Sequence, residues 1–276
     1  MLEEIIEHKR GEVERLRSEK PMRELEAEVA QAEPPRNFFR AVTKQGRSEG
    51  AGGTAVIAEI KRRSPSAGLM RPEYEGRAFD PASIALSYHR AGAAAISCLT
   101  DERYFGGSLA SIGEIKDAVP LPVLRKDFII DEIQLWESRA AGADAVLLIG
   151  EVLNERQIVD MLILAQQLRL TVLLEVHSTE NLLRVRPHVG FPHPTYCLLG
   201  INNRDLTTMT TDMNHTLRLV DLVEDPGVLV SESGIRGPED LSRLRDAGVR
   251  IVLVGEHLMR QPDPGAALAD LLATPR

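Results

Sequence analysis

Acidic, basic and small polar residues recur in this chain at one kind of place, the ends of short apolar runs. Glu59 and Lys61 end a run that begins at Ala55, Lys126 and Asp127 end one that begins at Pro122, and Glu175, Asn202 and Glu232 with Ser233 close three more. Two lysines and two or three carboxylates around one cavity are enough for acid–base work. A lysine among apolar walls and other cations has its ammonium form disfavoured and becomes a better proton donor near neutral pH, whereas a neighbouring carboxylate acts in the opposite direction. Taken singly, each residue reads equally well as half of a strand-end salt bridge, Lys61 with Glu59 or Lys126 with Asp127. Their shared placement is what points to an active site.

A second group suits an anion. Ser231-Glu232-Ser233-Gly234-Ile235 and Val254-Gly255-Glu256 put glycines directly after apolar runs, where exposed backbone N–H groups beside a helix start form a phosphate cradle. In isolation each glycine would pass as a turn residue. Arg204, two residues past Asn202, either adds charge to that phosphate or pairs with Asp205 on the surface. The basic stretch from Arg62 to Met70, broken by Pro65 and Gly68, is a lid over an anionic substrate or a disordered surface loop. Tyr104, Phe105 and Phe128 supply aromatic walls for a flat apolar portion of the substrate, unless they are plain packing. No GxGxxG opens a helix after the first run, no Walker A sequence occurs, and the seven histidines show no HxxxH spacing. The expectation is therefore a site without cofactor or metal.

Positioning such residues takes a repeating scaffold. Strand runs at 55–61, 94–100, 122–127, 145–149, 171–176, 196–202, 228–232 and 251–255 alternate with helical patterns, the first opened by Asp80-Pro81 and closed by Gly92. The later helices are expected at 108–118, 131–141, 154–169, 178–186, 212–223, 237–247 and 264–273. Ala91-Gly92-Ala93, Ala141-Gly142-Ala143 and Ala247-Gly248-Val249 mark the same helix-to-strand turn, an internal repeat. Near-continuous apolar strands joined by helices imply a parallel sheet buried on both faces. Eight of them, none polar or proline-broken like an edge strand, favour closure into an α/β fold, the (β/α)8 TIM barrel. Its C-terminal mouth would gather Glu59, Lys61, Lys126, Glu175, Asn202, Glu232 and Ser233, with Leu147, Leu148 and Gly150 as apolar wall.

Residues 1–50 read as an N-terminal helical extension of a single barrel domain spanning 1–276. One helix covers 2–19, Pro34-Pro35 interrupts, a second covers 37–44, and a linker runs over 46–53. With 33 basic and 41 acidic residues the net charge is −8 and no basic block occurs, which argues against a nucleic-acid partner. No apolar run approaches the roughly 20 residues of a membrane span. The charged N-terminus lacks the apolar core of a secretory signal, and Cys98 and Cys197 lie in apolar runs without ligand spacing. Trp136, beside Ile133 and Leu135, reads as packing. The expectation is a cytoplasmic enzyme, a monomer or weak homo-oligomer, acting on a phosphorylated small molecule.

The motifs also form an ordered set. Glu59-Ile60-Lys61 with Ser64-Pro65-Ser66, Leu99-Thr100-Asp101 with Tyr104-Phe105-Gly106-Gly107, Lys126-Asp127-Phe128, Leu174-Glu175-Val176, Gly200-Ile201-Asn202-Asn203-Arg204-Asp205-Leu206, Ser231-Glu232-Ser233-Gly234-Ile235 and Leu258-Met259-Arg260 run along essentially the whole chain. Together they resemble the indole-3-glycerol-phosphate synthase family, the ring-closing enzymes of tryptophan biosynthesis. The resemblance implies a substrate, 1-(2-carboxyphenylamino)-1-deoxyribulose 5-phosphate, cyclised with loss of CO2 and water, and an N-terminal extension lying over the barrel mouth. It implies Lys126 as general acid in ring closure and Glu175 in proton transfer during dehydration. Lys61 would contact the substrate carboxylate or phosphate and assist as an acid, while Glu59, Asn202 and Glu232 position hydroxyls and lysines. By the same resemblance Ser233, Gly234, Gly255 and Arg204 hold the phosphate, Phe105 and Phe128 flank the anthranilate ring, and Ser66 contacts the carboxylate. Ala67 departs from the lysine often found there, and 190–195 looks like an insertion on the face opposite the site. The competing readings are another phosphate-binding barrel isomerase, which would not need two such lysines, and a catalytically silent phosphometabolite-binding barrel, which would not retain Lys126 and Glu175.

Overall fold

The computed structural model describes residues 1–47, 53–76, 78–205, 208 and 210–273. Residues 48–52 of the expected linker, the end of the expected extension at 48–50 and Leu206 of the motif after the sixth strand lie outside the described residues. Eight strands form the barrel: strand 1 Ala55–Ile60, strand 2 Ala95–Leu99, strand 3 Val123–Lys126, strand 4 Ala145–Ile149, strand 5 Thr171–Val176, strand 6 Cys197–Asn202, strand 7 Leu229–Glu232 and strand 8 Ile251–Val254. They pair in parallel in chain order, and strand 1 bonds both strand 2 and strand 8, so the sheet closes on itself. The (β/α)8 architecture expected from the repeat is present.

Alternation along each strand decides what faces the barrel axis. Ile57, Leu124, Leu147, Ile149, Leu173, Leu198, Val230 and Leu253 belong to one inner cluster, whereas Ile60, Cys98, Leu148, Leu174, Val176 and Ile201 belong to the outer layer under the helices. Continuing the inner face by steps of two leads from Ile57 to Glu59 and Lys61, from Leu124 to Lys126, from Leu173 to Glu175, from Leu198 to Gly200 and Asn202, from Val230 to Glu232, and from Leu253 to Gly255. The same parity that fills the core with aliphatic side chains thus carries polar ones into the mouth. It also corrects the expected wall: Leu148 points outward, and the cavity is lined from strand 4 by Leu147 and Ile149.

Helix α1 (Leu2–Glu19), α2 (Met22–Gln31) and α3 (Phe38–Arg47) precede strand 1. Helix α2 has no counterpart among the expected elements, because its apolar stripe is only Met22, Leu25 and Val29 among many charges, with Leu25 alone fully buried. Leu25 packs with Val13 of α1 and Ile133, clamping the first two helices to the barrel wall. Helix α3 does something different: Phe38 and Val42 are fully buried in the inner cluster, where each contributes roughly 1.5–3 kcal/mol. Just before α3, the Arg36 guanidinium donates to the carbonyls of Lys116, Val119 and Leu121, which lead into strand 3. The extension is therefore divided, α3 plugging the floor and α1 alone bordering the mouth, rather than lying wholly over the mouth. The segment 190–195 enters strand 6 from its N-terminal end, away from the mouth. Among the described residues no helix is long and apolar enough to cross a membrane, and Cys98 and Cys197 are free, buried thiols pushed up to about 12, chiefly by burial.

Candidate active site

A cavity of about 830 Å³ opens at the C-terminal ends of the strands. At one end of it Lys126 Nζ lies 3.0 Å from Glu175 Oε2 and 3.9 Å from Glu232 Oε2. Burial disfavours the ammonium, but the carboxylates of Glu175, Glu232 and Glu59 outweigh it, and the Lys126 pKa is raised. Of the two opposing influences anticipated for such a lysine, the neighbouring carboxylates prevail over burial. The two carboxyl groups beside it are unequal. Burial pushes both up, yet Lys126 and His177 bring Glu175 well below the carboxylate range, whereas burial together with Glu175 keeps Glu232 well above it. Two buried carboxyls near one cation cannot both ionise freely, and the surroundings favour ionisation of Glu175 over that of Glu232. Neither Glu232 oxygen meets a hydrogen-bond partner among the described residues. A buried carboxyl left unpaired is costly unless a ligand completes it.

Lys61 sits apart from this cluster, its Nζ 2.6 Å from Glu59 Oε1. That pairing is the salt bridge anticipated between them, while the alternative pairing of Lys126 with Asp127 does not form. Two glycines make room for the carboxylates. A Cβ on Gly200 would stand 2.3 Å from Glu232 Oε1, and one on Gly255 would stand 2.2 Å from Glu59 Oε1. Gly255 thus has a packing duty in addition to any at a phosphate.

Ser233 and Gly234, with φ of 68° and 82°, make a left-handed turn beside the cavity after strand 7. For Ser233 this backbone is strained, as non-glycine residues seldom adopt it. The Arg204 guanidinium reaches Ser66 Oγ and, at 2.9 Å, Glu256 Oε2. Glu256 also takes Arg260 at 3.1 Å, and Arg260 reaches the Ala67 carbonyl at 3.4 Å. The loop after strand 1 is ordered where it is described. Arg63–Ser64 and Gly68–Leu69 form a small antiparallel ladder, Pro72–Glu75 a 3-10 turn, and Arg62 donates to the Tyr74 carbonyl at 2.6 Å. Ser66 is thereby held down on the cavity, and Arg260 provides a cation where Ala67 has none.

Phe105 and Phe128 both line the cavity, ring centroids 6.2 Å apart and tilted by 42°. Tyr104 does not line it; its hydroxyl donates to Glu4 Oε1 at 3.3 Å and its ring packs edge-on to His8, so it receives α1. Asn202 lines the cavity and accepts the Arg204 N–H at 3.0 Å, whereas Asn203, of opposite parity, is buried and braces Ser231, Ser233 and Thr216. The catalytic and substrate-binding residues implied by the resemblance, from Glu59 to Gly255, lie on this one cavity, whereas Tyr104, Leu148 and Gly150 of the expected walls do not.

Three further participants escaped the sequence reading. Lys9 of α1 is buried, its Nζ 2.8 Å from Asp127 and 3.1 Å from Asp101. Asp127 also takes Arg125 and the Thr100 hydroxyl. It borders the cavity, and through Lys9 it ties α1 to the segment carrying Lys126 and Phe128. His177 and Glu151 stand behind Glu175, with His177 Nε2 3.2 Å from Glu175 Oε1. The spacing of Glu175 and His177, two residues apart at a strand end, is the signal that would have found the histidine. Gly150, expected in the wall, instead donates its N–H to the Glu175 carbonyl at 2.8 Å. Among the described residues no group of three or more His, Cys, Asp or Glu could hold a metal ion.

A closed (β/α)8 barrel whose mouth sets a buried lysine beside two buried carboxyl groups of unequal acidity has the architecture of a barrel enzyme of acid–base chemistry. The sequence model of the family "Indole-3-glycerol phosphate synthase" matches residues 2–271. The chain is 45% identical over 271 residues to the indole-3-glycerol phosphate synthase of Acidithiobacillus ferrooxidans, covering 98% of each. It is 42% identical over 274 residues to that of Laribacter hongkongensis, covering 99% of each. A crystal structure of 3-hexulose-6-phosphate synthase superposes with a TM-score of 0.60 at 17% identity, over 79% of this chain and 98% of that one, a likeness of fold alone. The chain belongs to the indole-3-glycerol phosphate synthase family, decarboxylating lyases of tryptophan biosynthesis.

Proposed function

We propose that this chain converts 1-(2-carboxyphenylamino)-1-deoxyribulose 5-phosphate to indole-3-glycerol phosphate, as one barrel domain with its N-terminal extension, in the cytoplasm and as a monomer or weak homo-oligomer. The observation that carries the reading is Lys126 Nζ at 3.0 Å from Glu175 inside the cavity that Phe105 and Phe128 wall. In ring closure the aromatic carbon bearing the carboxylate attacks the ketone, whose oxygen must take a proton as the carbon–carbon bond forms. Lys126, kept protonated by its carboxylate neighbours, supplies that proton and a positive charge where negative charge develops. Departure of CO2 then restores the aromatic ring.

Dehydration removes the new hydroxyl as water and one proton from the ring system. Glu175, the ionised member of the pair, receives that proton, and Lys61 assists departure of the hydroxyl as an acid or holds the carboxylate or phosphate. Glu232, protonated and without a partner, donates to a substrate hydroxyl, with Glu59 and Asn202 fixing Lys61 and the ribulose chain. Ser233, Gly234, Gly255 and Arg204 take the phosphate, which competes with Glu256 for Arg204, and Ser66 meets the carboxylate.

The test follows indole fluorescence after adding the substrate to wild type, Lys126→Ala and Glu175→Gln. Turnover by wild type with loss in both variants is the expected result; no wild-type turnover, or full activity without Lys126, overturns the proposal.

A further inference from the structure

The proposed reaction uses Lys126, Glu175 and Glu232 but gives no task to the charged residues behind them. His177 continues the inward parity of strand 5, and its side chain is only 6% exposed. Its Nδ1 lies 3.1 Å from Glu151 Oε2, and its backbone N–H donates to Glu151 Oε1 at 2.8 Å. Its Nε2 lies 3.2 Å from Glu175 Oε1, on the side opposite the oxygen that Lys126 holds. Both oxygens of Glu175 are thus claimed, one by a lysine in the cavity and one by an imidazole outside it. The Nε2 contact is close but outside ordinary hydrogen-bond geometry, so a small rotation of Glu175 toward or away from substrate changes its strength.

We infer that Glu151 and His177 are a positioning pair that holds Glu175 from behind and decides which of the two neighbouring carboxyl groups, Glu175 or Glu232, carries the shared proton. The inference rests on the proposed reaction, in which Glu175 must be ionised to receive a proton. Lys126, 3.0 Å from Glu175 and 3.9 Å from Glu232, favours Glu175 but does not by itself reserve the charge for it. His177 does, because it contacts Glu175, and Glu151 keeps it charged: burial opposes the imidazolium, but Glu151 and Glu175 carry its pKa to about 10. The groups facing this unit come from four elements. Glu151 follows strand 4, Lys126 ends strand 3, Glu232 ends strand 7, and His215, acted on by Arg218 and Asp212, contacts the His177 carbonyl at 3.1 Å from the helix Asn214–Leu219. Burial opposes ionisation of Glu175, while Lys126, His177 and the neighbouring Glu232 carboxyl all favour it.

Removing the imidazolium therefore raises the Glu175 pKa and lets Glu232 compete for the negative charge. The acid limb of kcat, which reports ionisation of Glu175 in the complex, moves to higher pH. Rates measured against pH for wild type, His177→Gln and Glu151→Gln test this. His177→Gln is expected to lower kcat about tenfold near neutral pH with KM nearly unchanged, and to raise the acid limb by about half a pH unit or more. Glu151→Gln moves the limb in the same direction by less, and it decides the matter if His177→Gln does not fold. An acid limb unmoved in the folded variants, or a loss of rate equal at every pH, overturns the pairing. That result is distinct from failure of wild type to form product, which would overturn the reaction itself.

Discussion

The two ends of the cavity are built in different ways. At the Lys126 end, strands 3, 5 and 7 contribute Lys126, Glu175 and Glu232 directly, and all three are largely buried. Elsewhere on the cavity, Ser66, Arg204, Glu256 and Arg260 come from segments beyond the strands, are more exposed, and pair with one another. The strand end is fixed by barrel parity and tolerates little displacement. The loop end is held by partly exposed ion pairs that a bound anion could displace, which suits capture and release of an anion. Proton transfer thus sits on rigid backbone and substrate anchoring on segments able to rearrange.

The contrast can be broken most sharply at Lys126. Lys126→Ala is expected to lower kcat by about 10²–10⁴-fold, the range for loss of a general acid, in steady-state indole fluorescence. Gly200→Ala tests the rigidity of the same end without touching a charged residue: its Cβ displaces Glu232, and kcat should fall about tenfold to a hundredfold while the circular dichroism spectrum stays unchanged. Lys9→Met removes the buried cation between Asp101 and Asp127. Unfolding by urea should show a loss of about 2–4 kcal/mol, with KM rising several-fold as α1 and Phe105 loosen.

At the loop end the effects should be small and of another kind. Glu256→Gln weakens its hold on Arg204 and Arg260, so KM is expected to fall about twofold with kcat unchanged; a rise in KM would mean that Glu256 positions Arg204 for the phosphate. The smallest expected effect sharpens the comparison through pH. His177 is raised from 6.5 to about 10, so its contribution to stability is complete below pH 6.5 and disappears as pH rises through about 10. The melting-temperature gap between wild type and His177→Gln should be widest near pH 6 and close above about pH 10, as differential scanning fluorimetry would read.

Much of this was legible in the chain because a barrel repeats local rules. Strand alternation and helix spacing identify eight units, and the polar residues at their ends land together because the sheet closes. What stayed hidden depends on distance across the fold. Lys9 is one of several charged residues on a polar helix until α1 is docked on Asp101 and Asp127. His177 lacks metal-ligand spacing, and although its two-residue offset from Glu175 marks a shared face, its partner Glu151 emerges only when the adjacent turn is folded against it. Helix α2 carries only a thin apolar stripe among many charges, with Leu25 alone fully buried. Leu148 was expected in the wall because an apolar run does not announce its inward face, although the parity of Glu175 and Lys126 on neighbouring strands fixes it.

The most direct measurement separates the two proton steps in a single turnover, following CO2 release and indole absorbance together. Lys126→Ala should lose both in parallel, since without the acid the carbon–carbon bond does not form. Glu175→Gln should release CO2 while indole lags behind, since ring closure precedes the step it serves. CO2 released at the wild-type rate by Lys126→Ala would contradict the assignment of Lys126 as the acid of ring closure.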